Sequence, residues 1–321
     1  MVTPAARIGA TSLDNASQKP SDNLWRHAFR RLRRNRFATI SLVFILLLFV
    51  AAVLFPMVAP YSYAKQDYNA VTQAPTLAHP MGTDQLGRDI LVRLVFGARI
   101  SLAVGVIVQV VILLIGVPAG LIAGFYGGKI DTVIMRTVDV LYSMPSLLVV
   151  IITMTFLRAV LSTKHGGIVN AIESVDKVTG GLMGVFIGLG LISWLTVARI
   201  VRAQTMSLKQ KEFVEAARSL GSSNRGLMFR HMLPNALAPI VVAATLGIPR
   251  AILYEAGISF LGLGVIPPMP SWGLMISEAI PDLRSFPHML IPPAIILSLT
   301  VLAFNFLGDG LRDALDPWMT H

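Results

Sequence analysis

Three side chains that could ligate a transition metal lie close together in the sequence: His79, Asp84 and Asp89. Histidine combined with carboxylates is a donor set that suits nickel or zinc. The spacing matches no compact metal motif, however, and Thr83-Asp84 followed by Gly87 is typical of a turn with a capped helix after it. We therefore interpret this stretch as a structured turn, with metal binding as the alternative.

Nucleotide chemistry and covalent catalysis are not predicted for this chain. Next to Gly128-Lys129, Ala123 stands where a phosphate-binding loop needs glycine, and Ile130 stands where it needs serine or threonine. The chain has no cysteine, which excludes disulfides, cysteine-ligated metals and cysteine nucleophiles. No Ser-His, paired-Asp or His-Glu zinc pattern lies inside an apolar run, so an intramembrane enzyme is not favoured either.

The composition excludes an ordinary soluble domain. The 321 residues are 54% hydrophobic and 14% charged, and the mean hydropathy is +0.68. A core of this size could not hide so much apolar surface, so lipid must cover it. A helix needs roughly 20 residues to cross about 30 Å of hydrocarbon. Six charge-poor runs reach that length, at 37–59, 100–124, 138–157, 181–198, 234–254 and 288–307. We predict an all-α membrane protein with six transmembrane helices.

A seventh run, 256–277, also lacks charge but contains residues that interrupt a helix. These residues are Gly257, Gly262, Gly264, Pro267, Pro268 and Pro270. They would leave backbone groups unpaired in lipid. We therefore predict a surface or re-entrant segment here.

The formal net charge of +10 is unevenly distributed along the chain. Lysine and arginine are concentrated before the first run and in the loop after the fourth run, so the positive-inside rule places both termini in the cytoplasm. The stretch Arg26–Arg36 could bind nucleic acid or anionic lipid, but it abuts a span, as a topology anchor does. We predict contact with membrane lipid and no nucleic-acid partner.

Glycines at four-residue spacing mark two of the spans. They are Gly116, Gly120 and Gly124 in the second span, and Gly184 and Gly188 in the fourth. Small residues on one helix face let a neighbouring backbone approach closely. We interpret both sets primarily as packing positions.

The loop after the fourth span reads as a helical hairpin. Ser207 and Gln210 fit a capping box, and Gly221 fits the position beyond a helix end, so the first helix is predicted at 208–220. Its apolar residues fall within an arc of about 100°. They are Phe213, Ala216, Ala217 and Leu220. The acids and bases of the opposite side are balanced. On periodicity alone, docking into a partner protein and lying on the lipid surface both stay open.

A second short helix should follow, with Ser222 or Ser223 as its cap. It carries Leu227, Met228 and Met232, and Pro234 then suits the first turn of the fifth span.

These residues also resemble a known family. Glu215-Ala216-Ala217, Gly221 and Leu233-Pro234 resemble the EAA loop of ABC importer permeases, with His231 where the family usually has isoleucine. Two further stretches resemble signatures of the dipeptide and oligopeptide permeases. The outside-loop motif, in HPMGTDQLGRD, comprises Gly82, Thr83, Asp84, Gly87, Arg88 and Asp89; the C-terminal motif, in GDGLRDALDP, comprises Asp309, Gly310, Arg312, Asp313 and Asp316.

The resemblance implies a multi-pass permease of the bacterial inner membrane that forms half of the pathway of an ATP-driven oligopeptide importer. It implies a homologous permease partner, two cytoplasmic ATPases that bind ATP and Mg, and an extracytoplasmic binding protein, with no cofactor in this chain. The implied ATPase-coupling residues are Phe213, Glu215, Ala216, Ala217, Leu220, Gly221, Leu233 and Pro234. Dipeptides, glutathione and nickel chelates are alternative cargoes.

An ion-coupled secondary transporter is the alternative from another class. It would need ionisable residues deep in the spans, whereas Asp139, Arg250 and Glu255 are predicted close to span ends.

The predicted organisation has four parts. They are a disordered cytoplasmic tail at 1–24, a cytoplasmic basic segment with the first span and an extracytoplasmic loop at 25–99, the core permease domain at 100–308, and a cytoplasmic tail at 309–321.

Overall fold

A computed structural model describes residues 24–163 and 166–315, and the regular elements in these ranges are helical apart from one isolated bridge. The helices are α1 (Leu24–Arg34), α2 (Arg36–Val58), α3 (Ile90–Tyr126), α4 (Gly128–Tyr142), α5 (Ser146–Thr163), α6 (Gly167–Val178), α7 (Met183–Lys209), α8 (Glu212–Ser219), α9 (Asn224–Gly226), α10 (Leu233–Phe260), α11 (Trp272–Ala279) and α12 (Ile291–Leu315). A π-helical stretch, Leu227–Met232, joins α9 to α10. The predicted tail at 1–24 lies almost wholly outside the described residues.

The prediction of six spans is confirmed. The helices long and apolar enough to cross a membrane are Arg36–Val58, Ile90–Tyr126, Ser146–Thr163, Met183–Lys209, Asn224–Phe260 and Pro287–Leu315. The predicted third span, 138–157, was wrong at its start, because α4 ends at Tyr142 and α5 begins at Ser146. Pro145 lacks a backbone N–H and disfavours helical geometry at Met144, so the apolar run is split into two helices.

Local polar residues set the starts of the first two spans. Asn35 caps α2 by accepting a hydrogen bond from the backbone N–H of Ala38 at 3.2 Å. Asp89 caps α3 in the same way, accepting from the N–H of Val92 at 2.8 Å. At the other end of α3, Gly127 takes a φ of +67°, which a side chain would oppose.

The glycine stripe of α3 faces α7. A Cβ added at Gly120 would lie 2.5 Å from the carbonyl oxygen of Ala198. Gly116 and Gly124 are similarly opposed, at 2.8 and 2.7 Å from backbone oxygens of α7. Gly184 of α7 likewise abuts the backbone of α5, so both predicted packing roles are confirmed.

The charge-free run 256–277 does not form a span. The helix α10 continues to Phe260, an irregular stretch follows, and α11 begins at Trp272. The backbone of this stretch is partly satisfied by protein groups, since the Arg158 guanidinium donates to the carbonyls of Leu263 and Gly264 at 3.0 and 2.7 Å. Such pairing is what non-helical backbone requires at membrane depth.

The buried residues form three clusters. One joins α2, α3, α11 and α12 and contains the fully buried Trp272. A second joins α3, α5, α7 and α10, and a third, smaller one lies under the hairpin around α8 and Leu227–Met232. The connection between α5 and α7 contains α6.

Candidate functional site

The hairpin between α7 and α10 is present, but its first helix is shorter than predicted. The expected helix 208–220 with Ser207 as its cap was wrong, because α7 continues through Ser207 to Lys209. The chain turns at Gln210, and α8 occupies Glu212–Ser219 with Lys211 in an extended conformation before it. The capping residues therefore belong to the last turn of the span.

The helix α8 has an inner and an outer apolar side. Val214 is 0% exposed and Ala217 is also buried, and both pack into the cluster around Phe125, at the end of α3. In contrast, Leu220 is 88% exposed and Phe213 is 42% exposed. Ala216 is exposed as well. Three of the four residues predicted to form one apolar face therefore lie on the exposed side, whereas Ala217 is buried. Val214 was missed by the sequence analysis.

Gly221 ends α8 as predicted. Its φ is +84°, and its N–H donates to the carbonyl of Arg218 at 3.0 Å while the N–H of Ser222 donates to the carbonyl of Ala217 at 3.1 Å. These two bonds constitute a Schellman motif, which requires left-handed geometry at the glycine.

The second leg of the hairpin is anchored by apolar side chains. Ser223 is its cap, accepting from the N–H of Gly226 at 3.2 Å, as one of the two predicted possibilities. Leu227, Met228 and Met232 are buried against Val214 and Phe125 in the same cluster. The partly exposed His231 is not a member of that cluster.

Polar contacts tie the hairpin to the preceding helices. The ammonium of Lys209 donates to the carbonyl of Phe125 at 2.7 Å. About two turns of helix before Lys209, Arg202 of α7 forms a two-pronged ion pair with Asp131 of α4. The side chain of Glu215 is exposed and has no hydrogen bond or ion pair in the part of the chain that the structure describes. Its carboxylate is thus available to a partner.

The hairpin joins the fifth span at Leu233-Pro234. Pro234 lies in the first turn of α10, as predicted.

The outside-loop motif forms the predicted structured turn. Asp84 accepts hydrogen bonds from the N–H groups of Leu86 and Arg88, both at 2.9 Å, and pairs with the Arg88 guanidinium at 2.6 Å. Gly82 and Gly87 both have positive φ. A Cβ at Gly87 would lie 1.8 Å from the Asp67 carbonyl oxygen, so only glycine fits there.

The possible metal ligands of this loop are used in other ways. Nδ1 of His79 lies 2.7 Å from Oδ2 of Asp89, whose other oxygen caps α3. Asp84 instead faces Arg88. Within residues 24–163 and 166–315, no group of three or more His, Asp or Glu side chains gathers as a metal site.

An ion cluster joins this loop to α11. Glu278 accepts from Arg88 at 3.1 Å and from the buried Arg93 at 2.8 Å. Thr83, whose hydroxyl donates to the carbonyl of Ala70, stays fully buried beside them. The sequence analysis missed Glu278 and Arg93 because they belong to neither motif.

The C-terminal motif lies largely within α12, which continues to Leu315. Gly310 is a packing position, since an added Cβ would lie 2.3 Å from Cβ of Ala38 in α2. Among the described residues, Asp309, Arg312 and Asp313 form no ion pair. Asp316 lies outside the described residues.

A cavity with a volume of about 1200 Å³ lies between α3, α7, α10 and the end of α12. Its wall on α10 extends from Pro234, beside the hairpin, to Tyr254. Arg312 lines it near the same end as Pro234, whereas Gln109 and Arg250 line it deeper in the spans. The sequence analysis missed this cavity, although polar residues inside apolar runs are a signal for such a site.

Two ionisable residues lie deeper in the fifth span than predicted. Both Arg250 and Glu255 are inside α10, which extends to Phe260. Glu255 is 0% exposed and accepts hydrogen bonds from Ser259 at 2.7 Å and Ser271 at 2.8 Å. The third residue, Asp139, is in α4 and pairs with Arg199 at 2.8 Å.

Comparison with known proteins gives matches over nearly the whole chain. Residues 116–321 match the family described as "Binding-protein-dependent transport system inner membrane component", and residues 23–75 match "N-terminal TM domain of oligopeptide transport permease C". The chain is 41% identical to the oligopeptide transport system permease protein OppC of Bacillus subtilis, over 99% of this chain and 96% of that protein. It is 41% identical to the glutathione transport system permease protein GsiD of Pectobacterium atrosepticum, over 91% of each.

A solved structure has a similar fold. It is a chain of the MetNI methionine ABC transporter in an inward-facing conformation, matched with a TM-score of 0.53 over 71% of this chain and 98% of that chain. The sequence identity is 19%, so this likeness concerns the fold alone.

Proposed function

The chain belongs to the family of binding-protein-dependent inner-membrane transport components, as a permease of the peptide class, and on this premise we propose that it forms half of the translocation pathway of an ATP-driven oligopeptide importer. Two full-length relatives support the cargo class, since their names specify oligopeptides and glutathione. Six spans and a cavity that extends along α10 provide the physical requirements of a pathway.

The observation that carries the coupling role is the division of α8 into two apolar sides. Val214 and Ala217 hold the helix to its own chain, so its orientation is set without a partner. Phe213 and Leu220 remain exposed on the other side. Burying each of them in a groove of another protein contributes about 1.5 to 3 kcal/mol. We infer that this side docks on an ATPase subunit.

A lipid-surface role for α8 fits less well. Helices that lie on membranes carry cations on the polar face and bulky residues on a wide apolar face. The polar residues of α8 include the acids Glu212 and Glu215, and its outer side contains the small Ala216. A small residue on a docking face permits close approach to a protein groove.

The hairpin can transmit motion to the cavity through rigid contacts. Immediately before α8, Lys209 ends α7 and binds the end of α3, and immediately after the hairpin Pro234 begins α10. Both α7 and α10 line the cavity, so a displacement of α8 moves two of its walls. Alternating access requires two arrangements of these walls, and each must bind a different conformation of the ATPase more tightly.

The remaining partners follow from this scheme. We propose that two cytoplasmic ATPases bind ATP and Mg, that a homologous permease completes the pathway, and that an extracytoplasmic binding protein delivers the peptide. The basic helix α1 and the hairpin both lie on the cytoplasmic side under the positive-inside rule. This chain itself supplies no cofactor site and hydrolyses no ATP in this proposal.

The test is reconstitution of the full complex in vesicles with its binding protein. We expect ATP-dependent peptide uptake, and Leu220→Asp should abolish uptake and peptide-stimulated ATP hydrolysis without reducing the recovery of the subunit. The control is Asn224→Asp, which adds the same charge to an exposed site at a helix start, where an acid is tolerated. Full uptake by Leu220→Asp would contradict the docking role. Uptake driven by an ion gradient without ATP would favour a secondary transporter.

Glutathione is the second candidate cargo, because one relative of equal identity is named for it. Competition for uptake by trialanine and by glutathione distinguishes the two, since only the true cargo class should compete at low concentration.

A further inference from the structure

The cavity is electropositive at both ends. Among the described residues that line it are two arginines, Arg250 deep in the spans and Arg312 near the hairpin end, and no aspartate or glutamate. The volume of about 1200 Å³ exceeds that of a typical small-molecule pocket, which is about 300 to 1,000 Å³. Its size and charge suit an extended anionic ligand.

Gln109 is a buried amide without a partner. It is 4% exposed, and its Oε1 atom has no hydrogen bond among the described residues. The amide lies directly against α10, where a Cβ added at Gly247 would be 2.0 Å from Oε1. A buried amide that is left unpaired costs free energy, so it marks a place where a ligand or water is expected. A side-chain amide can pair with both groups of a peptide bond.

Arg250 lies on the same face of α10 as Gly247. Residues three and four apart on a helix are neighbours, so Gly247, Arg250 and Tyr254 form one row along the cavity wall. The hydroxyls of Tyr254 and Ser146 are 3.0 Å apart and close the row at its far end. In the part of the chain that the structure describes, the guanidinium of Arg250 forms no ion pair or hydrogen bond.

We propose that this row is a peptide-binding site within the membrane, in which Arg250 holds the C-terminal carboxylate and Gln109 pairs with a backbone amide group. The inference rests on the proposed function, since it assigns the cargo a position on its pathway. An arginine presents a planar fork that matches a carboxylate, and an intramembrane cation without a partner is a functional group by default.

A contact with the partner permease is the competing explanation for Arg250. It does not account for Gln109, which lines the same cavity and whose Oε1 atom has no hydrogen-bond partner among the described residues. A peptide-binding site accounts for both side chains, because Arg250 binds the C-terminal carboxylate and Gln109 pairs with a backbone amide group.

The direct test is labelling of a cysteine placed in the cavity. The natural chain has no cysteine, so Ala243→Cys, one turn from Gly247 on the same wall, is the only thiol of this subunit. In the full complex, without ATP or binding protein, we measure its reaction with a maleimide by the mass of this chain. Trialanine should protect the thiol, and trialanine amide should protect it only at much higher concentration. Asn224→Cys on the hairpin is the unprotected control.

Adding Arg250→Gln should raise the trialanine concentration for half-protection about tenfold or more, because a hydrogen-bonded charge pair is lost. Arg250→Lys should raise the half-protection concentration by an intermediate factor. Arg136→Gln, on the exposed side of α4, should leave that concentration unchanged. Protection that Arg250→Gln leaves unchanged would overturn the proposal, as would absence of protection by trialanine in a complex that imports it with ATP. Arg250→Gln with unchanged protection but poor recovery of the complex would assign Arg250 to the permease interface instead.

The two proposals fail in different ways. A wild-type complex that imports no peptide with ATP contradicts the proposed function, whereas the protection measurement uses no ATP and tests the site alone.

Discussion

Gly221 provides the sharpest test of the hairpin, because its substitution has one physical effect. The residue has a φ of +84°, and no atom lies within 4 Å of an added Cβ. A side chain therefore meets open space, and its cost comes only from the left-handed backbone conformation. For an L-residue with a Cβ that cost is about 1 to 2 kcal/mol.

The expected loss of uptake follows from the equilibrium between the docked hairpin and an unwound hairpin. A cost of about 1 to 2 kcal/mol changes such an equilibrium about 5- to 30-fold. We expect Gly221→Ala to reduce coupled uptake by that factor and Gly221→Val by more, since a β-branched residue is a stronger outlier at positive φ. Gly221→Asn should retain most activity, because asparagine tolerates this region.

The assay compares ATP-driven peptide uptake with basal ATP hydrolysis in the reconstituted complex. The matched control is Gly226→Ala, where an added Cβ would be 3.4 Å from Oγ of Ser223, an ordinary contact. Uptake should follow the order Gly, Asn, Ala, Val while basal hydrolysis changes less. Equal uptake by the Val and Asn variants would refute the argument from backbone conformation, and equal loss in Gly226→Ala would make the effect non-specific.

Two further predictions concern stability. Gly120→Leu should lower the Tm of the subunit, at a cost of about 1 to 3 kcal/mol from overpacking against α7, whereas Gly257→Ala, which has nothing within 4 Å, should not. Glu278→Ala should destabilise the outside loop by about 3 kcal/mol, because it leaves the buried Arg93 without its closest partner. Faster proteolysis of that loop measures the effect, and an unchanged cleavage rate would contradict it. Lys177→Gln, which breaks an exposed pair, is its control.

The family predicted from three motifs is confirmed by the matching family models and by the full-length relatives. The number of spans is confirmed as well. Both depend on information within short stretches, since a span needs only a sufficiently long apolar run. The glycine at 221 and the cap at Ser223 were predictable for the same reason, as each acts on atoms within a few residues.

Local signals failed where two structures compete for the same residues. Ser207 fits a cap, yet the hydrogen bonds of α7 continue past it to Lys209. That pattern does not state which of the two alternatives has the better packing. The run 138–157 has the composition of one span, yet the chain breaks before Ser146, because composition alone does not weigh the effect of Pro145 on the helix.

The sequence by itself determined which segments enter the membrane, which family the chain joins and where α8 ends, because burial in lipid and helix capping depend on nearby residues. Tertiary structure alone decided which side of α8 is free, since Val214 turns inward to meet Phe125 and Met228 from other segments. It also brought Arg88 to Glu278, 190 residues away, and Gln109 against Gly247. Contacts over such separations depend on how whole helices pack, and a pattern read along one segment does not contain the position of its neighbour.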